Sequence, residues 1–272
     1  MFSLTQITSP SVMGILNVTP DSFSDGGINT HVERAVENAL LMVEQGAAII
    51  DIGGESTRPG AQAVDIDSEL ARVVPVVEQL RRHTDIPISI DTHKPEVMRA
   101  GIGAGANMIN DINALRTPGA LDAAADLGVP VCLMHMQGEP RTMQHDPRYG
   151  QVVDDVTAFL LERVQMCVDA GIKKSEIALD PGFGFGKTVQ HNYALFNAIP
   201  QMLELGYPLL VGVSRKSMLG VVTHKTVEKR LAASIAAATL AAQWGAHIIR
   251  VHDVDETVDA IRIVEAIKNN NQ

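Results

Sequence analysis

The chain has 272 residues, of which 46% are hydrophobic and 20% charged, so it is neither disordered nor fibrous. Its 32 acidic and 22 basic side chains give a formal net charge of -10, which argues against nucleic-acid binding through a positive surface. A chain of this length can bury a large core in one piece, and we expect a single domain over residues 1–272.

Eight short apolar runs alternate with helical stretches along the chain. The runs cover residues 12–17, 48–53, 88–91, 108–111, 131–134, 177–180, 209–212 and 248–251. Runs that are apolar throughout predict parallel strands covered on both faces, and the stretches between them are long enough for crossover helices. The alternation is typical of an α/β fold of the (β/α)8 TIM barrel type. An open, doubly wound sheet remains the alternative because periodicity does not reveal closure.

Glycines mark the ends of several predicted helices. Gly46, Gly128, Gly171 and Gly245 each follow a helical stretch, which is where left-handed helix caps are common. The sequence therefore predicts a repeated order of helix, glycine and strand.

The chain shows no targeting or membrane signal. Its first ten residues lack the basic start and long apolar stretch of a signal peptide, and the most apolar window, 231–249, is alanine-rich and interrupted by polar residues. Cys132 and Cys167 each lie in an apolar stretch, and we expect both to be buried without a disulfide or a metal. We expect a cytoplasmic protein with no membrane partner and no nucleic-acid partner.

Polar side chains lie at or just beyond the end of every predicted strand. They are Asn17, Asp51, Asp91, Asn110, Asp111, His135, Asp180, Ser214, Lys216, Arg250 and His252. In a barrel the carboxyl ends of the strands meet at one mouth, where active sites are built, so these residues are expected to face one ligand. For Asp51 and Asp111 a purely structural role is at least as well supported.

Basic side chains gather at this predicted mouth although the chain as a whole is acidic. They are Arg58, Arg215, Lys216, Arg250 and His252. Such a patch indicates an anionic ligand group such as phosphate or carboxylate. Asp91 and Asp180 at the same mouth suit the donor-rich edge of an aminopyrimidine-like ring. Together they predict a ligand with a polar heterocycle at one end and phosphate at the other.

The histidine pattern does not support a metal-hydrolase centre. None of the nine histidines has His-x-His spacing, and the His-Glu-x-x-His pattern is absent. Asn17 fits a hard, mostly hydrated Mg²⁺ that bridges substrate phosphates. The isolated histidines are expected to be exposed: His31, His83, His145, His191 and His224.

Three loop features bear on function. Residues 19–27 and 54–60 are rich in turn formers and are candidate lids over the mouth. Residues 182–188 fail both the Walker A and the Rossmann spacing, so we expect a tight turn that presents Phe185 to the site. Lys216 could form a Schiff base as in barrel aldolases, but the predicted phosphate and heterocycle sites would then have no role.

Several segments resemble the signatures of the dihydropteroate synthase family. Residues 14–27 read GILNVTPDSFSDGG and residues 51–60 read DIGGESTRPG; DPGFGFGK at 180–187, SRKS at 214–217 and RVHD at 250–253 follow in order. The resemblance covers nearly the whole chain. It implies a pterin-binding (β/α)8 barrel that joins 6-hydroxymethyl-7,8-dihydropterin diphosphate to 4-aminobenzoate, releasing diphosphate and 7,8-dihydropteroate for folate synthesis.

The resemblance also implies residue roles, position by position. Asp91, Asn110, Asp180 and Lys216 would hold the pterin, with Met134 and Phe185 lining its slot. Arg250 would lie against the ring with its charge toward the diphosphate, whose site Asn17, Thr57, Arg58 and His252 would complete with Mg²⁺. Phe23, Pro59 and Ser214 would border the aminobenzoate pocket, the expected site of sulfonamides, and Asp25 would arrive with the first loop. The expected catalytic residues are Arg250, Lys216, Asp91, Asp180 and Asp25.

One departure and two alternatives stay open. His93 stands where the family usually has a small hydroxyl residue; capping of the next helix would make the change mild, and an inward side chain would weaken the pterin assignment near Asp91. A corrinoid-dependent methyltetrahydrofolate methyltransferase would share the carboxylate-lined slot without needing the diphosphate site, and a pterin-binding barrel without turnover would share both. The resemblance further suggests a homodimer formed through barrel helices.

Overall fold

The computed structural model describes residues 2–7, 10–19, 28–56 and 60–270. Eight strands form its centre, and they are β1 (Ser11–Asn17), β2 (Ile49–Gly53), β3 (Ile88–Asp91), β4 (Met108–Asp111), β5 (Val131–Met134), β6 (Ile177–Asp180), β7 (Leu210–Val211) and β8 (Ile248–Val251). Five of these have the predicted bounds. The others differ by one residue at one or both ends.

Helices connect the strands. Those in the described residues are α1 (Ile28–Glu44), α2 (Ile66–Arg81), α3 (Pro95–Gly103), α4 (Ala120–Leu127), α5 (Val152–Asp169), α6 (Val189–Asn197), α7 (Ile199–Leu203), α8 (Ser217–Thr223), α9 (Leu231–Trp244) and α10 (Val254–Asn269). The four predicted glycine caps are confirmed, since all four glycines have φ between 62° and 104°. Within the described ranges, no helix combines the length and apolar character that crossing a membrane requires.

The strands are all parallel and nearly close into a barrel. Their order is β6-β5-β4-β3-β2-β1-β8-β7. The last gap is spanned by a parallel bridge between Leu179 of β6 and Leu209, just before β7, with the Leu179 N–H donating to the Pro208 carbonyl at 2.9 Å. The doubly wound alternative is therefore excluded, and the predicted TIM barrel is confirmed.

The core has an outer and an inner layer. Most buried apolar residues pack between the strands and the helices. A smaller cluster fills the barrel interior, and it contains Leu4, Met13, Ile49, Met108, Cys132, Ala178, Leu210 and Ile248. Both cysteines are free and fully buried, as predicted.

Candidate active site

The candidate site lies directly above the apolar layer inside the barrel. Successive side chains of a strand point to opposite faces, so the residue two positions after an inward-facing one also faces inward. Counting two residues on from the interior cluster gives Asp51, Asn110, Met134, Asp180 and Arg250. These side chains lie near the carboxyl ends of five strands, at the mouth where barrel active sites form.

Arg250 binds two buried carboxylates at this mouth. Its Nε donates to Asp51 Oδ2 at 2.6 Å, and its Nη2 donates to Asp91 Oδ2 at 2.7 Å. Asn110 Nδ2 donates to the same Asp51 oxygen at 3.0 Å. One guanidinium and one amide thus connect the ends of four strands, β2, β3, β4 and β8.

The electrostatics of this group follow from its burial. Burial raises the pKa of Asp91 above its ordinary value, and the nearby Arg250 only partly offsets the shift. Burial would lower the pKa of Arg250, but Asp51 and Asp91 outweigh it and raise that pKa, so the guanidinium stays charged. In the described part of the chain, Asp51 Oδ1 and Asp91 Oδ1 are buried acceptors without a hydrogen-bond donor. The group therefore retains acceptor capacity for a ligand.

Asp180 and Lys216 form the second charged pair of the mouth. Asp180 Oδ1 accepts the Gly182 N–H at 2.7 Å; burial raises the pKa of this carboxyl and Lys216 opposes the shift. Burial lowers the pKa of Lys216 to about 8, opposed by Asp180. The Lys216 ammonium lies 4.6 Å from the centroid of the Phe185 ring and also donates to the Phe183 carbonyl. Lys216 further interacts electrostatically with Arg250 and Asp91. The Asp180–Lys216 pair and the carboxylates around Arg250 therefore lie in one region of the mouth.

An apolar wall stands beside these charges. Met134 and the half-buried Phe185, both predicted to line the ligand slot, pack together with Ile112, Met136 and Met143. These last three were not predicted. Ile112 and Met136 lie within two residues of strand ends, and this position in the sequence could have identified them.

The ends of β7 and β8 are joined by Ser214 and His252. The Ser214 hydroxyl lies 3.0 Å from His252 Nδ1 and accepts the His252 N–H at 3.2 Å. Arg215, included in the predicted basic patch, instead forms an ion pair with Asp253, with Nε to Oδ2 at 3.0 Å. Its charge is therefore already balanced within the protein.

Part of the predicted site lies outside the described residues. Phe23, Asp25, Thr57, Arg58 and Pro59 belong to this part, and with them most of the first predicted lid and residues 57–59 of the second. Asn17 is described: it is half-buried and ends β1.

The described start of the second loop is anchored by an ion-pair network. Lys94 Nζ donates to Glu55 Oε2 at 2.5 Å and also to the buried Glu69. Burial would raise the pKa of Glu55, but His93 and Lys94 outweigh it and lower that pKa to about 2. Glu55 is therefore ionised and held in place at the start of the second loop.

His93 neither caps the next helix nor points into the pterin slot. The N-cap of α3 is Lys94, which makes no side-chain cap. His93 Nδ1 lies 3.2 Å from the Thr117 hydroxyl, and its Nε2 lies 3.6 Å from Glu55 Oε2. The histidine joins the Glu55 network, so it leaves the assignment of Asp91 unaffected.

Four further expectations can be compared with the geometry. Asp111 has the structural role considered for it, because its carboxylate accepts the N–H groups of Asn113 and Leu115, both at 2.7 Å. The expectation that His31 and His191 are exposed was wrong: both are half-buried, and His191 completes the N-terminal capping box of α6. Asp51, for which a structural role was at least as well supported as a ligand contact, is the shared partner of Arg250 and Asn110.

Buried carboxylates beside a guanidinium and an apolar wall, at the mouth of a (β/α)8 barrel, define a site for a flat polar heterocycle. This chain belongs to the pterin binding enzyme family, whose sequence profile matches residues 13–252. Among its relatives, the dihydropteroate synthase of Escherichia coli (strain K12) is 54% identical over 260 residues, which are 96% of this chain and 92% of that protein. The expected resemblance to dihydropteroate synthases, which are transferases, is confirmed.

Solved structures agree with this assignment. The Yersinia pestis dihydropteroate synthase in a sulfonamide drug complex has a TM-score of 0.92 at 51% identity, covering 98% of this chain and 96% of that one. The Xanthomonas albilineans enzyme in complex with 7,8-dihydropteroate has a TM-score of 0.88 at 50% identity, covering 97% of this chain and 95% of that one.

Proposed function

We propose that the chain joins 6-hydroxymethyl-7,8-dihydropterin diphosphate to 4-aminobenzoate, forming 7,8-dihydropteroate and releasing diphosphate. The observation that carries this proposal is the shared electrostatic region of Asp91, Asp180, Lys216 and Arg250 at the barrel mouth. The similar Xanthomonas albilineans enzyme, solved with 7,8-dihydropteroate, supports the choice of substrates.

The pterin occupies the slot between the carboxylates and the apolar wall. Asp180 and the free oxygen of Asp91 accept hydrogen bonds from the N–H groups of the ring, and Asn110 supplies a further polar contact. Met134 and Phe185 cover the ring face. Lys216, whose ammonium already lies over the Phe185 ring, reaches the polar edge of the pterin from the same side.

The reaction needs positioning and charge stabilisation rather than a protein nucleophile. The arylamine nitrogen bonds to the pterin methylene carbon while the bond from that carbon to the diphosphate oxygen breaks, and the amine then loses a proton. Negative charge grows on the departing diphosphate, and Arg250 with Arg58 stabilises it. Asp91 and Asp180 hold the electron-donating ring and stabilise the positive charge that develops on it.

Asn17, at the end of β1, suits a metal ion that arrives bound to the substrate. The described residues contain no group of three His, Cys, Asp or Glu side chains that could hold a metal ion. Asn17 offers one neutral amide oxygen, which fits a hydrated Mg²⁺ coordinated mainly by water and phosphate. Mg²⁺ bound there would neutralise charge on the diphosphate. Thr57, Arg58 and His252 complete this half of the site.

The 4-aminobenzoate lies on the side of Ser214. The Ser214 hydroxyl, paired with His252, marks the boundary between the aminobenzoate pocket and the diphosphate site. From the family resemblance, Phe23 and Pro59 would border the pocket and Asp25 would join it with the first loop. A sulfonamide, which mimics 4-aminobenzoate, is expected to compete for this pocket, consistent with the sulfonamide complex of the similar Yersinia pestis enzyme.

We further propose a cytoplasmic homodimer that associates through α8, α9 and α10. Large apolar side chains are exposed on these neighbouring helices, and they are Val221, Val222, Leu231, Leu240, Ile263 and Ile267. Several exposed apolar residues on adjacent helices are typical of a protein interface.

A direct assay tests the proposed reaction. With both substrates and Mg²⁺ present, we expect stoichiometric formation of diphosphate and 7,8-dihydropteroate; diphosphate release without the arylamine product, or no release at all, would contradict the proposal. Asp180→Ala should abolish measurable pterin binding in calorimetry, because the buried acceptor for the ring is lost. Unchanged affinity would remove Asp180 from the slot.

A further inference from the structure

Lys187 is a buried lysine for which the proposed reaction has no use. Burial lowers its pKa below the ordinary value, and Asp180 opposes that shift. The Lys187 side chain is only 3% exposed. The ammonium lies 2.9 Å from the Gly182 carbonyl oxygen, 3.0 Å from that of Phe185 and 3.3 Å from that of His135. It also lies 2.9 Å from His135 Nδ1. A lysine is seldom buried unless its charge has such partners, so this contact set is specific.

His135 acts as an acceptor in this arrangement. Burial and the positive charge of Lys187 together lower its pKa to about 3, so the imidazole is neutral at physiological pH. Its ring packs edge-on against Phe159, with centroids 4.9 Å apart, which fixes its orientation. The Nδ1 atom therefore accepts from the ammonium.

The peptide group on each side of Gly182 connects Lys187 to the pterin slot. The Gly182 N–H donates to Asp180 Oδ1 at 2.7 Å, and the Gly182 carbonyl accepts from Lys187 at 2.9 Å. Phe185 is connected in the same way, because its carbonyl binds Lys187 while its ring packs against Met134 and its neighbours. Lys187 thus fixes the backbone that presents both a polar and an apolar contact of the slot.

We propose that Lys187 is a positioning residue for the pterin: it fixes the 180–186 backbone so that the Asp180 carboxylate and the Phe185 ring keep the geometry that binds the heterocycle. This inference rests on the proposed role of Asp180 in pterin binding.

The test compares substitutions of two basic residues that bind backbone carbonyls, the buried Lys187 and the half-buried Arg81. Lys187→Met keeps a long side chain but removes the charge and all donors. Arg81→Met is the matched control, because Arg81 donates to the carbonyls of Gly105, Thr84 and Ile86 before β3 and β4, at the opposite end of the barrel. By calorimetry with 6-hydroxymethyl-7,8-dihydropterin diphosphate, we expect Lys187→Met to weaken binding about tenfold or more and Arg81→Met to leave it unchanged within about twofold.

Steady-state kinetics and pH provide readouts that a loss of stability alone would not give. In Lys187→Met the KM for the pterin diphosphate should rise while the KM for 4-aminobenzoate stays within about threefold of the wild-type value. Burial raises the pKa of Asp180, and Lys216, the Gly182 N–H, Arg250 and Lys187 all lower it. Without Lys187 that pKa rises, so pterin binding should be lost at higher pH than in the wild type as the pH falls.

Two results would overturn the inference. One is pterin affinity in Lys187→Met within about threefold of the wild type; the other is an equal loss in Arg81→Met. If Lys187→Met does not fold, Lys187→Gln, which keeps two N–H donors but no charge, decides the matter, and wild-type affinity and pH dependence in that variant would contradict the inference. Wild-type protein that does not bind the pterin diphosphate would instead contradict the proposed function itself.

Discussion

Arg250 balances the charge of two buried carboxylates besides its proposed contact with substrate. Removing one partner of a buried ion pair commonly costs about 3–5 kcal/mol, because the remaining charge is left without compensation. We therefore expect Arg250→Ala to lose stability on that scale at pH 8. Turnover should fall roughly 100- to 1000-fold, as is common when a preorganised charge partner is removed.

The loss of stability should depend on pH. With Arg250 absent, the pKa of Asp91 rises further, so this carboxyl takes up a proton more readily as the pH falls and the penalty decreases. Urea unfolding at pH 8 and at pH 5.5 measures this difference. Arg262→Ala is the control, because Arg262 forms an exposed pair with Asp259 and should change stability by less than about 1 kcal/mol. A loss in Arg250→Ala that is independent of pH would contradict the expectation.

His93 gives the Glu55 network a titratable member. Its contact with Glu55 raises the pKa of His93 above the ordinary value, with burial opposing and Asp111 adding to the rise. A raised pKa in the folded state contributes stability below the unfolded pKa of about 6.5 and loses it as the pH rises through the folded value. We expect His93→Ser to destabilise the protein by up to about 1 kcal/mol at pH 6 and progressively less above pH 7.

An exposed histidine offers the comparison for this measurement. His83 is exposed at the end of α2, so His83→Ser should change the free energy of unfolding little at any pH between 5.5 and 8. Thermal or urea unfolding of both variants over that range gives the result. A destabilisation of His93→Ser that grows with rising pH would show that the histidine is not held by Glu55.

Sequence reasoning identified the charged residues of the mouth but not their pairing. Strand-end position was enough to select Asp91, Asp180 and Arg250. Pairing depends on which strands are neighbours, and β1 separates β2 from β8 in the sheet, so the contact of Asp51 with Arg250 needed coordinates. The proposed role of Lys187 could not be predicted for a related reason. Its partners are mainly backbone carbonyls, which every residue has, so the sequence does not show which residues it contacts.

In the loop between β6 and α6, Gly182 is required both by its backbone conformation and by the lack of space for a side chain. Gly182 has φ +67°, and a Cβ built there would lie 1.9 Å from the His135 carbonyl oxygen. Gly128 has φ +62°, but nothing lies within 4 Å of its Cβ position. Gly128→Ala should therefore cost only the left-handed strain of about 1–2 kcal/mol, whereas Gly182→Ala must also displace the His135 backbone just after β5.

Calorimetric pterin binding and urea unfolding separate these two glycine variants. We expect Gly182→Ala to lose more stability than Gly128→Ala and to bind the pterin diphosphate at least about tenfold more weakly, since Asp180 loses its fixed N–H donor. Gly128→Ala should bind normally. Equal behaviour of the two variants would mean that the loop can move without disturbing the slot.

Strand bounds followed from the hydrophobic pattern to within one residue, and both ends differ only in β7, where pairing is short. The run at 209–212 became only Leu210–Val211, because Leu209 makes a single bridge to β6 and the ladder to β8 covers two residues. Apolar composition reports burial on both faces, and it does not report how many backbone hydrogen bonds a neighbour supplies.

At the scale of the whole molecule, barrel closure was beyond what periodicity could establish. The contact that decides it joins residues 179 and 209, thirty positions apart in the chain, and it depends on the accumulated twist of the sheet. The resemblance to a known family implied closure, but the alternating pattern by itself did not.

The proposed dimer interface can be tested by adding charge. Val222 and Ile263 are 59% and 62% exposed, so Val222→Asp with Ile263→Asp should shift the protein from dimer to monomer in sedimentation without unfolding it. Leu161→Asp is the control, because Leu161 is 39% exposed on α5, which is not one of the proposed interface helices, and should leave the dimer intact. A wild-type monomer, or a dimer in all variants, would contradict the proposed interface.

The burial of both cysteines makes the native surface inert toward thiol reagents. Burial raises the pKa of Cys132 well above its usual value and that of Cys167 to about 11, so neither forms a reactive thiolate at neutral pH. A single cysteine introduced at Ser56 would therefore be the one thiol open to a fluorescent label. Emission from that label would follow the second loop directly as each substrate is added, with no engineering of the rest of the chain.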